Sequence, residues 1–207
     1  MNFITAVLLV CIIYLLYKKY YKQRVCNSVD GRCYVVSDKY KNGDEASVLL
    51  ANINIYCIKL LRHLRSKFLK TTNADSYISK WRENVAFLLN NYNPDNIIEN
   101  VPVGIVNTSY VDDKGKVFAI CLREKMSGNN NFQNMHDLHF VVLHELTHMA
   151  TYSYGHEEDF WTNFKFILTE ANKAGLHDPV DYSVSPINYC KLTVNYNPYF
   201  DNTLKII

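Results

Sequence analysis

Val141-Val142-Leu143-His144-Glu145-Leu146-Thr147-His148-Met149-Ala150 sets two histidines four residues apart in an apolar run, with a glutamate directly after the first. On an α-helix, residues four apart lie about 40° apart around the axis, so His144 and His148 leave one face together and can share a metal ion. Glu145 sits roughly 60° to 100° around from them, beside such an ion rather than under it. That position suits a base acting on water, not a direct ligand. The H-E-x-x-H pattern is that of zinc metalloproteases, so Zn2+ is the expected cofactor and Glu145 the expected catalyst. The chemistry further requires a third ligand and one open position.

His156 is the preferred third ligand. It follows Thr151-Tyr152-Ser153-Tyr154-Gly155, in which Ser153 and Gly155 can turn the chain back. Glu157-Glu158-Asp159 then reads as the acidic first turn of a new helix. Glu157, Glu158, Asp159 and the more distant Glu170 are the alternatives, because carboxylates also ligate zinc. A merely structural histidine pair is the competing reading. The surrounding Leu138, Phe140, Val141, Val142, Leu143, Leu146, Met149 and Ala150 weigh against it, since imidazoles and a carboxylate in a buried helix are costly without partners or a metal.

H-E-L-T-H, then His156, then Phe160-Trp161 resembles the H-E-x-x-H…H-x-x-x-F-W pattern of WLM and SprT-like metallopeptidases. Tyr92-Asn93-Pro94, Cys121-Leu122-Arg123, Pro179-Val180-Asp181-Tyr182 and Asn195-Tyr196-Asn197-Pro198-Tyr199 extend the likeness to membrane-anchored metallopeptidases of large DNA viruses. The resemblance spans most of residues 34–203 and is most specific around the zinc motif. It implies a zinc-dependent endopeptidase with His144, His148 and His156 as ligands and Glu145 as catalyst. By resemblance only, Tyr182 and Tyr189 are candidate oxyanion donors; a packed tyrosine is the competing reading for each. SprT-like relatives act on proteins attached to DNA. An anchored N-terminus departs from that pattern.

The 207 residues suit one domain and an appendage, and 48% hydrophobic against 20% charged residues supply a sizeable core. A net charge of +2 gives no strong nucleic-acid signal. Phe3 to Tyr17 is apolar except for Thr5, so about 17 residues from Met1 predict a short membrane-spanning helix in contact with the lipid bilayer. Lys18, Lys19, Lys22 and Arg24 follow it. The positive-inside rule then places the C-terminal domain on the cytoplasmic side of a single-pass protein, with the membrane of a virus particle as a further location. The expected organisation is an anchor and basic segment over 1–24 and a catalytic domain over 25–207. The expected fold is α+β, a small zincin-like metalloprotease domain behind a transmembrane helix.

Between these landmarks, apolar spacing predicts helices over 44–69, 76–90 and 157–174, the last stopping at Gly175. A β-hairpin is expected over 103–111 and 116–122, turning at Asp112-Asp113-Lys114-Gly115. Val117 to Cys121 is the expected substrate-pairing strand. The loop 124–136 is either a flap or a connector, and 176–203 reads as short strands and turns. Phe160 and Trp161 are expected to pack under the ligand helix. Cys57, Cys121 and Cys190 read as core packing; Cys26 and Cys33 are compatible with thiols or a disulfide. His63 and His177 read as surface residues, and His136 and His139 fall outside the metal shell.

The expected activity is hydrolysis of a protein or peptide substrate. A catalytically silent zinc protein of a membrane or viral particle is one alternative, and a SprT-like DNA-associated protease another.

Overall fold

The computed structural model describes residues 5, 7–12, 23–72, 75–100, 108–124 and 131–206. Strand β1 (Gln23–Cys26) turns into β2 (Cys33–Val36), and helix α1 (Gly43–Leu64) follows, running on through a π-helical turn at Arg65–Leu69. Helix α2 (Ser76–Asn91) leads to β3 (Ile97–Glu99), β4 (Tyr110–Asp112) and β5 (Val117–Ile120). Helix α3 (Met135–Ala150) carries the histidine motif. Helix α4 (Glu158–Lys173) precedes a small hairpin of β6 (Ile187–Tyr189) and β7 (Leu192–Val194).

The five-stranded sheet has the order β1-β2-β3-β5-β4. Its centre is parallel: Val35 pairs with Ile98, and Ile97 to Glu99 pair with Phe118 to Ile120. Both edges are antiparallel, β1 on β2 and β4 on β5. The crossover from β2 to β3 runs through α1 and α2, whose apolar residues recur every three to four positions. Leu50, Ile53, Cys57, Leu60 and Leu64 of α1 are all fully buried, as are Val85 and Leu88 of α2. Burying one such side chain contributes about 1.5–3 kcal/mol, enough to offset its lost rotamer freedom.

The arrangement corrects the expected fold class. It is a mixed α/β fold, and the described strands and helices do not show a zincin-like architecture. The parallel pairs join residues 63 and 21 positions apart, which local periodicity does not register. No helix among the described residues is long and apolar enough to cross a membrane, which overturns the single-pass placement with a cytoplasmic domain and its viral-membrane variant. Of residues 1–17 only 5 and 7–12 are described, as helix. The rest of the expected anchor, with Lys18, Lys19 and Lys22, lies outside the described residues. Arg24 and Gln23 belong to β1 and so to the sheet, on the domain side of the expected boundary.

Two disulfides appear. Cys26–Cys33 closes the β1–β2 hairpin. Cys121–Cys190 ties the end of β5 to the turn between β6 and β7; both residues pack in the core, as expected, and the bond between them is an addition to that reading. Cys57 is a buried thiol, as expected. His177 is a correction: it is buried, stacked on His136, because the turn after Gly175 folds it inward. Part of the expected first hairpin strand, 103–107, and part of the expected flap, 125–130, lie outside the described residues.

Candidate metal centre

Helix α3 begins at Asn134, whose side chain accepts the His136 backbone N–H at 2.8 Å. Its apolar faces pack against α2, α4 and β4, leaving His144 and His148 half-buried on one side. Thr151 leaves the helix in extended backbone, and Gly155 takes a left-handed φ of 80°, so the chain reverses and returns His156 to the helix. The ligand atoms of His144, His148 and His156 all lie within 4.8 Å of one another. His144 and His156 meet through their Nε2 atoms at 2.9 Å. Phe160, fully buried at the start of α4, packs its ring against all three imidazoles, with centroid distances of 4.4 to 4.9 Å. Phe160 therefore lies beneath the histidines, as expected of it. Trp161 does not; it stacks on His156 at 5.6 Å and faces the cavity.

All three imidazoles are held neutral. Burial lowers the His144 pKa well below its ordinary value, and the charges of His148 and His156 add to this. Burial, then His156 and Lys114, bring His148 down to about 4. Burial also lowers His156. Neutral imidazole is the form that ligates a metal, so the cluster is electrostatically prepared for a cation.

Glu145 is 4% exposed, and its Oε2 is buried with no hydrogen-bond partner. Burial pushes its pKa up to about 8, only partly offset by the Val111 backbone. A carboxyl left in this state is costly unless a cation or a substrate proton completes it. Together with the three convergent nitrogens, this orphaned oxygen fits a bound divalent ion of zinc type.

The histidines and Glu145 open into a cavity of about 400 Å³, of the size that holds a ligand. Its walls come from β4 (Tyr110, Val111), α3 (Phe140, Val141), α4 (Trp161, Phe164) and the β6–β7 hairpin (Tyr189, Leu192, Val194). The strand at the cavity is thus β4. Val117 to Ile120 is paired along both edges and cannot take another strand, which corrects the substrate-pairing expectation. Among the described residues β4 is one of the sheet's two edges; its Val111 backbone bonds Glu145, and its remaining outward backbone groups are the ones available to an extended chain.

The two expected oxyanion donors are placed differently from one another. Tyr189 lines the cavity, but its hydroxyl donates to the Cys121 carbonyl at 2.8 Å and lies 2.6 Å from Ser109 Oγ. Tyr182 is buried away from the cavity, edge-on to Phe140, with its hydroxyl toward Asp137 Oδ1 at 3.4 Å. Of the alternative third ligands, Asp159 accepts the Ser153 hydroxyl, and Glu170 is enclosed by His63, Lys67 and Tyr77. Sequence reasoning missed Tyr110, Thr193 and Asn195, which also line the cavity. The alternation of β4 and the turn before Leu192 carry no sign of which side faces a site.

No family model matches the chain, and no solved structure matches it. It is similar to an uncharacterized protein of Acanthamoeba polyphaga mimivirus, 29% identical over 199 residues and covering 94% of each chain. It is also similar to an uncharacterized protein of Invertebrate iridescent virus 6, 31% identical over 109 residues, 53% of this chain and 60% of the relative. An uncharacterized protein of Invertebrate iridescent virus 3 is 34% identical over 97 residues, 47% of this chain and 58% of the relative. These relatives are viral.

Proposed function

We propose that the chain is a zinc-dependent endopeptidase of the H-E-x-x-H type. The observation that carries the reading is the meeting of three neutral histidines with a buried carboxyl whose Oε2 has no partner, at the end of one cavity. His144, His148 and His156 would hold the zinc. Bound there, zinc supplies Lewis-acid polarisation of a carbonyl and lowers the pKa of water. Glu145 Oε2 takes the proton of the attacking water and returns it to the leaving amine, so one carboxyl serves as base and then as acid. The free edge of β4 aligns an extended peptide beside it, and the apolar walls exclude water from the reacting groups. The resemblance to WLM and SprT-like metallopeptidases supports the same residues in the same roles.

The test combines metal analysis with cleavage of a broad peptide library. Purified protein should carry one zinc per chain, and His144→Ala, His148→Ala or His156→Ala should each strip it. Glu145→Gln should keep the zinc yet lower turnover by about 10²-fold to 10⁴-fold or more, because proton transfer is lost and the water loses its orienting partner. Zinc-loaded wild type that cleaves no better than Glu145→Gln would leave a structural zinc protein in place of an enzyme.

A further inference from the structure

The last turn of α3 is not closed by glycine. Its orphaned carbonyls are taken by side chains reaching in from elsewhere. Asn91 Nδ2 at the end of α2 donates to Met149 O at 2.9 Å, and Asn84 Nδ2 donates to Ala150 O at 3.1 Å. Thr151 Oγ1 donates to Thr147 O at 2.8 Å, and Lys114, in the turn between β4 and β5, reaches the carbonyls just beyond the helix end. Its Nζ donates to Thr151 O at 2.6 Å and Ser153 O at 2.5 Å, with a longer contact to His148 O at 3.4 Å. The same ammonium sits 4.3 Å from the ring centroid of Tyr154. One cation thus engages the residue that would ligate the metal at the helix end and three residues of the five that lead to His156.

The turn is built to deliver that group. Asp113, Lys114 and Gly115 all have positive φ, at 43°, 52° and 112°. Two consecutive non-glycine residues in the left-handed region are costly, and such geometry persists where the surroundings hold it. Gly115 presses so close to α2 that a Cβ there would stand 2.6 Å from Asn91 O. Asn96 Nδ2 donates to Gly115 O at 2.7 Å and fixes the turn from the other side. Lys116, two residues on, points away and pairs with Asp113 on the surface.

We infer that Lys114 is a positioning residue for the metal centre: it clamps the segment 151–155 to the end of α3 and so holds His156 over His144 and His148. Tyr152 stacked on Phe87 and Ser153 bonded to Asp159 fix the outer side of the same segment, but no other side chain among the described residues joins its carbonyls to the helix end. The role in metal binding rests on the zinc reading above; the clamp itself does not.

The experiment uses full-length protein in two arms. In the metal-free protein, hydrogen exchange of the peptide spanning 150–157 should quicken at least tenfold in Lys114→Met, while Lys116→Met leaves it unchanged. In the second arm, zinc competition against a chromophoric chelator should show affinity weakened about 10-fold to 100-fold in Lys114→Met. Melting temperature should move little, and Lys114→Arg should recover part of the affinity. Unchanged exchange overturns the clamp whether or not zinc binds. Faster exchange with unaltered zinc affinity overturns the positioning role. Wild type that binds no zinc defeats the metal reading alone, and the exchange arm still decides the clamp. Should Lys114→Met fail to melt cooperatively, Lys114→Gln, whose uncharged amide is one bond shorter and cannot bridge the carbonyls that Nζ reaches, is read in both arms with the same expected outcomes.

Discussion

Glu145 on α3 and Glu170 on α4 are both buried glutamates on neighbouring helices, and their surroundings are opposite. Glu170 accepts from Lys67 at 2.8 and 2.9 Å, from the Tyr77 hydroxyl at 2.8 Å and from Lys173 at 3.2 Å, with His63 at 3.0 Å. Burial pushes its pKa up, but the Lys67, His63 and Tyr77 hydrogen bonds and the Lys173 charge outweigh this and hold it below its ordinary value. Glu145 has no such shell around Oε2 and is pushed up to about 8. A buried carboxylate with all its partners holds helices together. One whose partners are missing is available for a proton, and it faces the cavity that the three histidines share.

Replacing each glutamate by glutamine separates the two roles. Glu170→Gln leaves Lys67 and Lys173 without their counter-charge and should destabilise the fold by roughly 2–3 kcal/mol, read by denaturant unfolding. Glu145→Gln changes a carboxyl whose Oε2 has no partner and whose charged form burial disfavours, so metal-free protein should lose no stability. A Glu145→Gln protein as destabilised as Glu170→Gln would erase the distinction.

Changing pH sharpens it. The folded pKa of Glu145 is raised, so the folded state binds its proton more tightly than the unfolded chain does. Its contribution is therefore complete below the ordinary 4.5 and is lost as pH rises toward about 8. Metal-free Glu145→Gln should gain on wild type across that window. The Glu170 pKa is lowered, so its contribution is present above the ordinary carboxylate range and is lost as pH falls. The deficit of Glu170→Gln should accordingly shrink in acid. Gaps that do not move with pH would mean that neither carboxyl differs between folded and unfolded chains.

The smallest effect concerns Tyr189. Its hydroxyl is committed to Cys121 O and Ser109, so Tyr189→Phe should cost about 1 kcal/mol of stability and leave turnover within a few-fold of wild type. A hundredfold fall in kcat with unchanged stability would restore it as an oxyanion donor.

The helical spacing of His144 and His148, the neighbouring Glu145 and the apolar run around them were legible because they are local: the 3.6-residue repeat places them without help from the rest of the chain. The same holds for α1, α2 and α4, the Gly175 stop and the turn at Asp112 to Gly115. His156 was legible as a candidate among several, since the turn residues before it allow a reversal but do not aim it.

Tertiary structure alone decided the rest, because each remaining feature depends on residues distant in sequence. Parallel pairing of β2, β3 and β5 sets which strand is an edge, and so puts β4 rather than β5 beside the histidines. Cys121 and Cys190, 69 positions apart, become one disulfide that fixes the hairpin forming a cavity wall. Glu145 and Glu170 are the same residue type on amphipathic helices of equal length. What sets their surroundings apart is that α1 and α2 supply His63, Lys67 and Tyr77 to Glu170, while nothing bonds to Glu145 Oε2. Local periodicity fixes the direction of a side chain. Its protonation depends on the dielectric and the partners that the folded chain brings to it.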